Sequence, residues 1–182
     1  STVENWDGSS WTAGTAIATA RRGMGSSSSG TQTAMIVFGG GEPTSTATES
    51  WNGSSWSTVG SLNAARILIG GAGTQPAALA FGGTAPLSSA SEEWNGSSWT
   101  SGNTLGTARY GGGSAGIQTA ALYMSGGNAP IVTNVEKYNG TSWSSDTAVP
   151  TGKSKTTGAG TQTAGFMIGG LSPTTATFEF TG

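Results

Sequence analysis

The stretch "ESWNGSSWSTVGSLNAARILIGGAGTQPAALAFGG" runs from Glu49 to Gly83 and decides the fold. It places Trp51 and Trp56 on either side of an Asn-Gly turn signal and ends in an apolar run closed by two glycines. Nearly the same phrase recurs along the chain. Its first aromatic residue returns at spacings of 45, 43, 44 and 42 residues, at Trp6, Trp51, Trp94, Tyr138 and Phe180. A fixed period of this length indicates a repeat architecture.

Other residues keep the same period. They are the second aromatic (Trp11, Trp56, Trp99, Trp143), a glycine pair (beginning at Gly39, Gly82, Gly126, Gly169), a glutamine (Gln32, Gln75, Gln118, Gln162), a basic residue (Arg21, Arg66, Arg109, Lys153) and a glutamate (Glu4, Glu49, Glu92, Glu136). The pattern predicts one domain over residues 1–182, with units at about 21–65, 66–108 and 109–152 and partial units at 1–20 and 153–182.

Each unit reads as four short strands. In the second unit we expect strands near 67–71, 77–81, 89–94 and 98–100, with Asn95-Gly96 as the turn of the outer hairpin. No segment has a sustained 3.6-residue apolar period, so no helix is expected. Four strands in 40–50 residues is the size of a β-propeller blade. The chain is therefore predicted to be all-β, with about seventeen strands in antiparallel four-stranded blades.

The two tryptophans of the phrase are expected to lie on one face of the outer hairpin. A two-residue turn would place Trp56 diagonally across from Trp51, and a four-residue turn would place the two directly opposite. Either arrangement forms an aromatic slab that packs one blade against the next, since an indole buries ~150–250 Å². The alternative is a ring of aromatic sugar-binding pockets.

Composition excludes several classes of function. Only 9% of residues are charged and the net charge is −2, which argues against nucleic acid as a partner. With no Cys and no His, the chain lacks thiolate metal sites and the commonest general base. No apolar run approaches the ~18 residues of a membrane span. We expect no cofactor, no metal, no membrane insertion and no enzymatic activity.

The repeat resembles the kelch repeat. That family's blade has a double glycine after its second strand, aromatic residues in its third and fourth strands and an arginine before the next blade. Here Gly82-Gly83, Trp94, Trp99 and Arg109 fill those places, although the period is shorter than the usual ~50 residues. The wording "WNGSSW…GTQTA…GG" is also similar to repeats of predicted phage virion and environmental proteins.

The resemblance implies that the blades form a closed ring, in which strands from the two ends of the chain meet. We expect four blades, closed by pairing between strands at the two termini. One of the two copies of the third strand, near Glu4 or near Glu179, would then be redundant. The alternatives are a segment of a larger propeller, or two chains that share an eight-bladed ring.

The basic series supplies the candidate ligand-binding residues Arg21, Arg66, Arg109 and Lys153, which we expect at the channel mouth together with Glu42 of the neighbouring loop. If these cations point sideways between blades, each can pair with a recurring glutamate. If they point inward, the channel mouth becomes an anion site. The equal numbers of Glu and basic residues favour the sideways arrangement.

The longer and more varied loops, "GGGEPTSTAT", "GGTAPLSSAS", "GGNAPIVTN" and "GGLSPTTAT", follow the second strands and should share one face of the propeller. Variable loops on a rigid scaffold commonly carry recognition. We expect a structural or recognition module, such as a phage virion or surface attachment component, outside the cell or on a virion. Its partner would be a protein or glycan on another surface, with self-association through repeat edges as a further form of binding. The alternatives are a lectin and an engineered or consensus-like scaffold without natural ligand.

Overall fold

A computed structural model describes residues 2–127, 130–171 and 177–182. These residues form strands, turns and bends with no helix, and therefore include no helix that could cross a bilayer. An N-terminal hairpin is followed by four antiparallel sheets, which are the blades of a four-bladed β-propeller. The predicted fold class is confirmed.

The strands follow one another outward within each blade. The N-terminal hairpin pairs β1 (Val3–Trp6) with β2 (Trp11–Gly14). The first blade consists of β3 (Gly25–Ser26), β4 (Met35–Phe38), β5 (Thr48–Trp51) and β6 (Trp56–Val59). The second blade consists of β7 (Gly70–Gly73), β8 (Ala78–Phe81), β9 (Ser91–Trp94) and β10 (Trp99–Ser101). The third consists of β11 (Gly113–Ile117), β12 (Ala120–Gly126), β13 (Val132–Tyr138) and β14 (Trp143–Asp146). The fourth consists of β15 (Thr156–Gly160), β16 (Ala164–Gly169) and β17 (Thr177–Thr181).

The outer hairpin turns through four residues, not two. Trp94 pairs directly with Trp99, and the side chain of Asn95 accepts hydrogen bonds from the backbone N–H groups of Ser97 and Ser98 at 3.0 and 2.9 Å. Gly96 has a φ of 95°, a conformation that glycine adopts without steric cost. The two aromatic rings of each outer hairpin consequently lie on one face, with the Trp94 and Trp99 centroids 5.4 Å apart.

Glycine allows the innermost strands to approach one another. A Cβ on Gly71 would lie 2.2 Å from the Ser26 carbonyl oxygen, and one on Gly158 would lie 2.4 Å from the Ser114 nitrogen. A side chain at either place would push neighbouring blades apart. The innermost strands β3, β7, β11 and β15 therefore surround a narrow central channel.

Three apolar cores stabilise the propeller, one at each joint between consecutive blades. In the first, Ile36 and Phe38 of the first blade pack against Trp94 and Trp99 of the second. The Phe38 and Trp99 rings meet edge to face, with centroids 4.9 Å apart. The second core repeats this contact between the second and third blades, and the third core joins Met124 of the third blade to Met167, Phe178 and Phe180 of the fourth. The expectation that the aromatic pair joins one blade to the next is confirmed for the second and third outer hairpins.

The predicted pairing between the termini is wrong. Among the described strands, β1 pairs only with β2 and β17 pairs only with β16. The reason is that the N-terminal hairpin is held on the first blade, where Gln32 donates to the Trp6 carbonyl and the Trp56 indole donates to the Thr15 carbonyl, while β17 is the last strand of the fourth blade. The fourth blade thus has three strands in the described part of the chain, and the N-terminal hairpin remains a separate two-stranded sheet.

Candidate binding surfaces

The basic residues of the first three blades pair with glutamates of their own blade. Arg21 contacts Glu49 at 2.8 Å, Arg66 contacts Glu92 at 2.6 Å, and Arg109 forms the same ion pair with Glu136. Each arginine precedes the innermost strand and each glutamate lies in the third strand. The sideways arrangement predicted from the equal stoichiometry is confirmed for these three units.

These ion pairs are inside the protein. Arg66 and Arg109 are 1% and 0% exposed. Arg66 also donates to the carbonyls of Gly82 and Ala90, at 2.8 and 2.9 Å, while Glu92 accepts from a backbone N–H through its second oxygen. Because the charges are paired and hydrogen-bonded, burial is tolerated. The first three members of the predicted site series lie within the blades, with their charges already engaged.

The remaining two predicted residues are placed differently. Lys153 is half-buried and forms no ion pair with any described residue, since the third strand of its blade carries Phe178 where the other blades have glutamate. Glu42 is exposed in the loop after β4 and pairs with the exposed Arg22. Ligand binding by any of the five residues stays a prediction.

The channel mouth is a cavity of about 350 Å³ lined mostly by glycine and serine. Lys155 is its one charged residue among the described residues that line it. Lys155 and the equivalent Leu68 both have positive φ, at 56° and 57°, where the other two blades have glycine. Lys155 was not among the predicted site residues, although its position two residues after Lys153 of the basic series could have indicated it.

A larger groove of about 460 Å³ lies between the N-terminal hairpin and the first blade. Its walls contain four tryptophans, with polar side chains that include Asn5 and Gln32. Trp6 and Trp11 are 44% and 65% exposed, the largest exposures among the described tryptophans. The four tryptophans are Trp6, Trp11, Trp51 and Trp56.

The loop face presents exposed apolar residues in three consecutive blades. Leu87, Ile131 and Leu171 are 44–50% exposed, and each lies in the connection between second and third strands. Leu87 and Ile131 directly follow prolines that recur with the period. The loop face was predicted to carry recognition, but these residues were not singled out. Residues 128, 129 and 172–176 of the two later loops lie outside the described part of the chain.

The recurring glutamine has a structural role that sequence analysis did not assign. The side-chain nitrogen of Gln75 donates to the Trp51 carbonyl at 2.5 Å, and that of Gln118 donates to the Trp94 carbonyl at 2.7 Å. Gln32 makes the same bond to Trp6 and Gln162 makes it to Tyr138. Each bond ties the first turn of one unit to the third strand of the unit before it.

Within the described residues, no group of three or more metal-ligating side chains lies together. Glu49, Glu92 and Glu136, the repeated carboxylates, are held in the buried ion pairs. No protein-family model matches the chain, and no curated protein matches it significantly.

Proposed function

We propose that this protein is a non-enzymatic recognition module, built as a kelch-like propeller and displayed outside the cell or on a virion as an attachment component. The observation that supports it is the loop face, where Leu87, Ile131 and Leu171 present apolar surface above a rigid scaffold. Exposed apolar residues that cluster on one face commonly mark interaction sites.

The kelch-like assignment is supported by the role of the double glycine. Gly82 and Gly83 have φ values of 64° and 107°, and the Gly83 N–H donates to the Arg109 carbonyl at 2.9 Å. A Cβ on Gly82 would lie 2.5 Å from that carbonyl oxygen. The glycine pair therefore lets the loop after the second strand pass against the arginine of the next blade.

Binding of the labelled full-length chain to bacterial surfaces and to arrays of surface proteins tests this proposal. We expect saturable binding that Leu87→Asp and Ile131→Asp weaken, because a carboxylate would have to be desolvated on docking. Trp6→Ala is the matched control, since Trp6 and Leu87 are equally exposed, at 44%. Binding unchanged by both loop substitutions would contradict the proposal, as would substrate turnover abolished by one point change.

A second candidate function is carbohydrate binding in the tryptophan groove. Indole faces stack on sugar rings, and the amides of Asn5 and Gln32 offer hydrogen bonds beside them. On a glycan array, Trp6→Ala and Asn5→Ala should then abolish a signal that Leu87→Asp leaves unchanged. Glycan binding that resists both groove substitutions would exclude this site.

A further inference from the structure

A cavity of about 420 Å³ lies between the third and fourth blades. Its apolar walls include Met124 and Val149 of the third blade and Phe178 and Phe180 of β17. β17 is the third strand of its blade, and its outer edge has no strand partner among the described residues. The cavity is thus beside the position where the first three blades have their fourth strand.

In the second and third blades, a tryptophan of the fourth strand fills the equivalent place. Trp99 packs on Phe38 and Trp143 packs on Phe81, each with ring centroids 4.9 Å apart. Met124 is the counterpart of Phe38 and Phe81, because each of the three lies six positions after the recurring glutamine. The cavity beside Met124 therefore has the surroundings that receive an indole at the other two joints.

The outer edge of β17 offers backbone donors at two residues. The N–H of Gly182 donates to the Thr163 carbonyl at 3.0 Å, on the side of β16. Because the N–H groups of an antiparallel strand alternate in direction, those of Thr181 and Glu179 point away from β16. These two N–H groups are the donors available to an added strand.

The third blade shows where the tryptophan of an added strand comes to lie. Asn139, the counterpart of Thr181, donates its N–H at 3.2 Å to the carbonyl of the residue before Trp143. In that register Trp143 lies directly opposite Tyr138. The same bond from Thr181 places a tryptophan opposite Phe180, whose ring lines the cavity.

The outer strand of a second copy does not fit this register. Asp7 donates its N–H to Ser10, so the N–H of Trp11 points to the open edge of β2. A residue opposite Phe180 must instead direct its N–H away from β17, because the N–H of Phe180 points to β16. The other outer hairpins have the same alternation at Trp56, Trp99 and Trp143.

We propose that the fourth blade binds an extended segment of a partner protein, which adds to β17 as an antiparallel fourth strand. A tryptophan of this segment lies opposite Phe180 and enters the cavity beside Met124. Main-chain hydrogen bonds to the open edge supply affinity, and the cavity supplies specificity, as in other strand additions.

The residues of β17 define the chemistry of the partner segment further. Phe178 lies where the third strands of the other blades carry the paired glutamate, such as Glu136. Ser145 lies opposite Glu136, two positions after the tryptophan. Since Phe178 offers apolar surface there, the partner carries an apolar residue two positions after its tryptophan. Its residue between these two lies opposite the exposed Glu179 and is polar.

A peptide with the sequence of residues 141–150, TSWSSDTAVP, carries a fourth-strand tryptophan and is the probe. Titrated into the isotope-labelled full chain, it should bind saturably and shift the NMR amide signals of Glu179 and Thr181. Trp143→Ser in the peptide should weaken binding by about 30-fold or more, as expected for an anchoring tryptophan. Ser145→Val in the peptide should tighten binding by about threefold, because valine packs on Phe178.

The absence of saturable binding at millimolar peptide overturns the proposal. Shifts confined to the loop face or to the tryptophan groove overturn it as well. The open edge of β17 is separate from both of those surfaces, so this result is independent of the function proposed above.

Backbone pairing can be tested separately from the indole. Thr181→Pro removes the outward N–H and should weaken peptide binding by about tenfold, while the bond from Gly182 to β16 is kept. Thr181→Ala keeps the N–H and is the matched control. Equal thermal unfolding midpoints of the two variants show that β17 stays paired with β16. Equal peptide affinities of the two variants would contradict edge pairing.

The cavity itself is tested from the third blade. Val149 has leucine counterparts at the other joints, Leu62 and Leu105. Val149→Trp fills the cavity from within and should abolish peptide binding. Val149→Leu restores the residue of the other joints, is the matched control and should retain binding. Peptide affinity that is the same in both variants would overturn the assignment of the cavity to the partner's tryptophan.

Discussion

The second and fourth blades are copies of one repeat, but they differ in burial. Leu79 and Phe81 of β8 are fully buried, whereas the equivalent Phe166 and Ile168 of β16 are 41% and 46% exposed. The second blade lies between two neighbours, and its β8 contributes residues to two cores. The fourth blade contributes to only one of the three cores, through Met167, Phe178 and Phe180.

The difference shows that the repeated sequence specifies the strands of a blade. Which side chains of that blade become buried depends on the blades packed against it. The second blade also contains the buried Arg66–Glu92 ion pair. The fourth has Lys153 and Phe178 at the corresponding places, and Phe178 packs beside the third blade's core. The charge pair has been replaced by an apolar contact where the blade lacks its fourth strand.

The largest expected difference comes from truncating the side chain at the equivalent second-strand position in the second and fourth blades. Phe81→Ala should lower the free energy of unfolding by about 3–5 kcal/mol, because it leaves a cavity at a filled joint. Ile168→Ala should lower it by less than about 1 kcal/mol, because that side chain is nearly half exposed. Urea denaturation of each variant measures both values. Similar losses in the two variants would mean that the outward face of the fourth blade is covered in solution.

The buried ion pair gives the next largest difference. Glu92→Gln should cost about 3 kcal/mol, because it leaves the Arg66 guanidinium buried without a counter-charge. Lys153→Gln in the fourth blade should change stability by less than about 0.5 kcal/mol, since Lys153 has no ion pair with a described residue. Denaturation at high and low salt separates the charge effect from packing. Equal effects at the two positions would contradict the assigned pairing.

Periodicity was sufficient to predict the blades and the Arg–Glu pairing. Each of these depends on residues that recur in at least three units, such as Arg66 with Glu92. The terminal pairing was predicted wrongly because Glu4 and Glu179 both follow the third-strand pattern. By register, however, Glu179 corresponds to Glu93, and Phe178 takes the place of the paired glutamate. The exposure of Leu87 could not be predicted from the repeated sequence, because this exposure depends on the path of the loop between β8 and β9.

A buried tyrosine makes the second joint sensitive to alkali. Burial raises the pKa of the Tyr123 phenol above its ordinary value of about 10, against the opposing effect of Arg109. Above pH ~10 the unfolded chain loses this proton while the folded chain keeps it. Stability should therefore fall as the pH rises past ~10, and Tyr123→Phe should reduce the slope. The fourth blade has Met167 at this place, and a methionine side chain does not ionise. An unchanged slope in Tyr123→Phe would contradict the prediction.

The smallest difference concerns the outer turns, where Asp7 replaces the asparagine of the complete blades. Its carboxylate accepts hydrogen bonds from the backbone N–H groups of Ser9 and Ser10, both at 2.8 Å, and these bonds lower its pKa well below the ordinary range. The folded turn therefore holds the carboxylate ionised, and this local stabilisation is lost as the pH falls through the lowered pKa. Asn95 makes the same turn in the second blade without a titrating group. In an NMR pH titration, the amide shifts of Ser9 and Ser10 should move in strong acid while those of Ser97 and Ser98 remain constant. Asp7→Asn should abolish the movement, and its persistence would show that another group controls the hairpin.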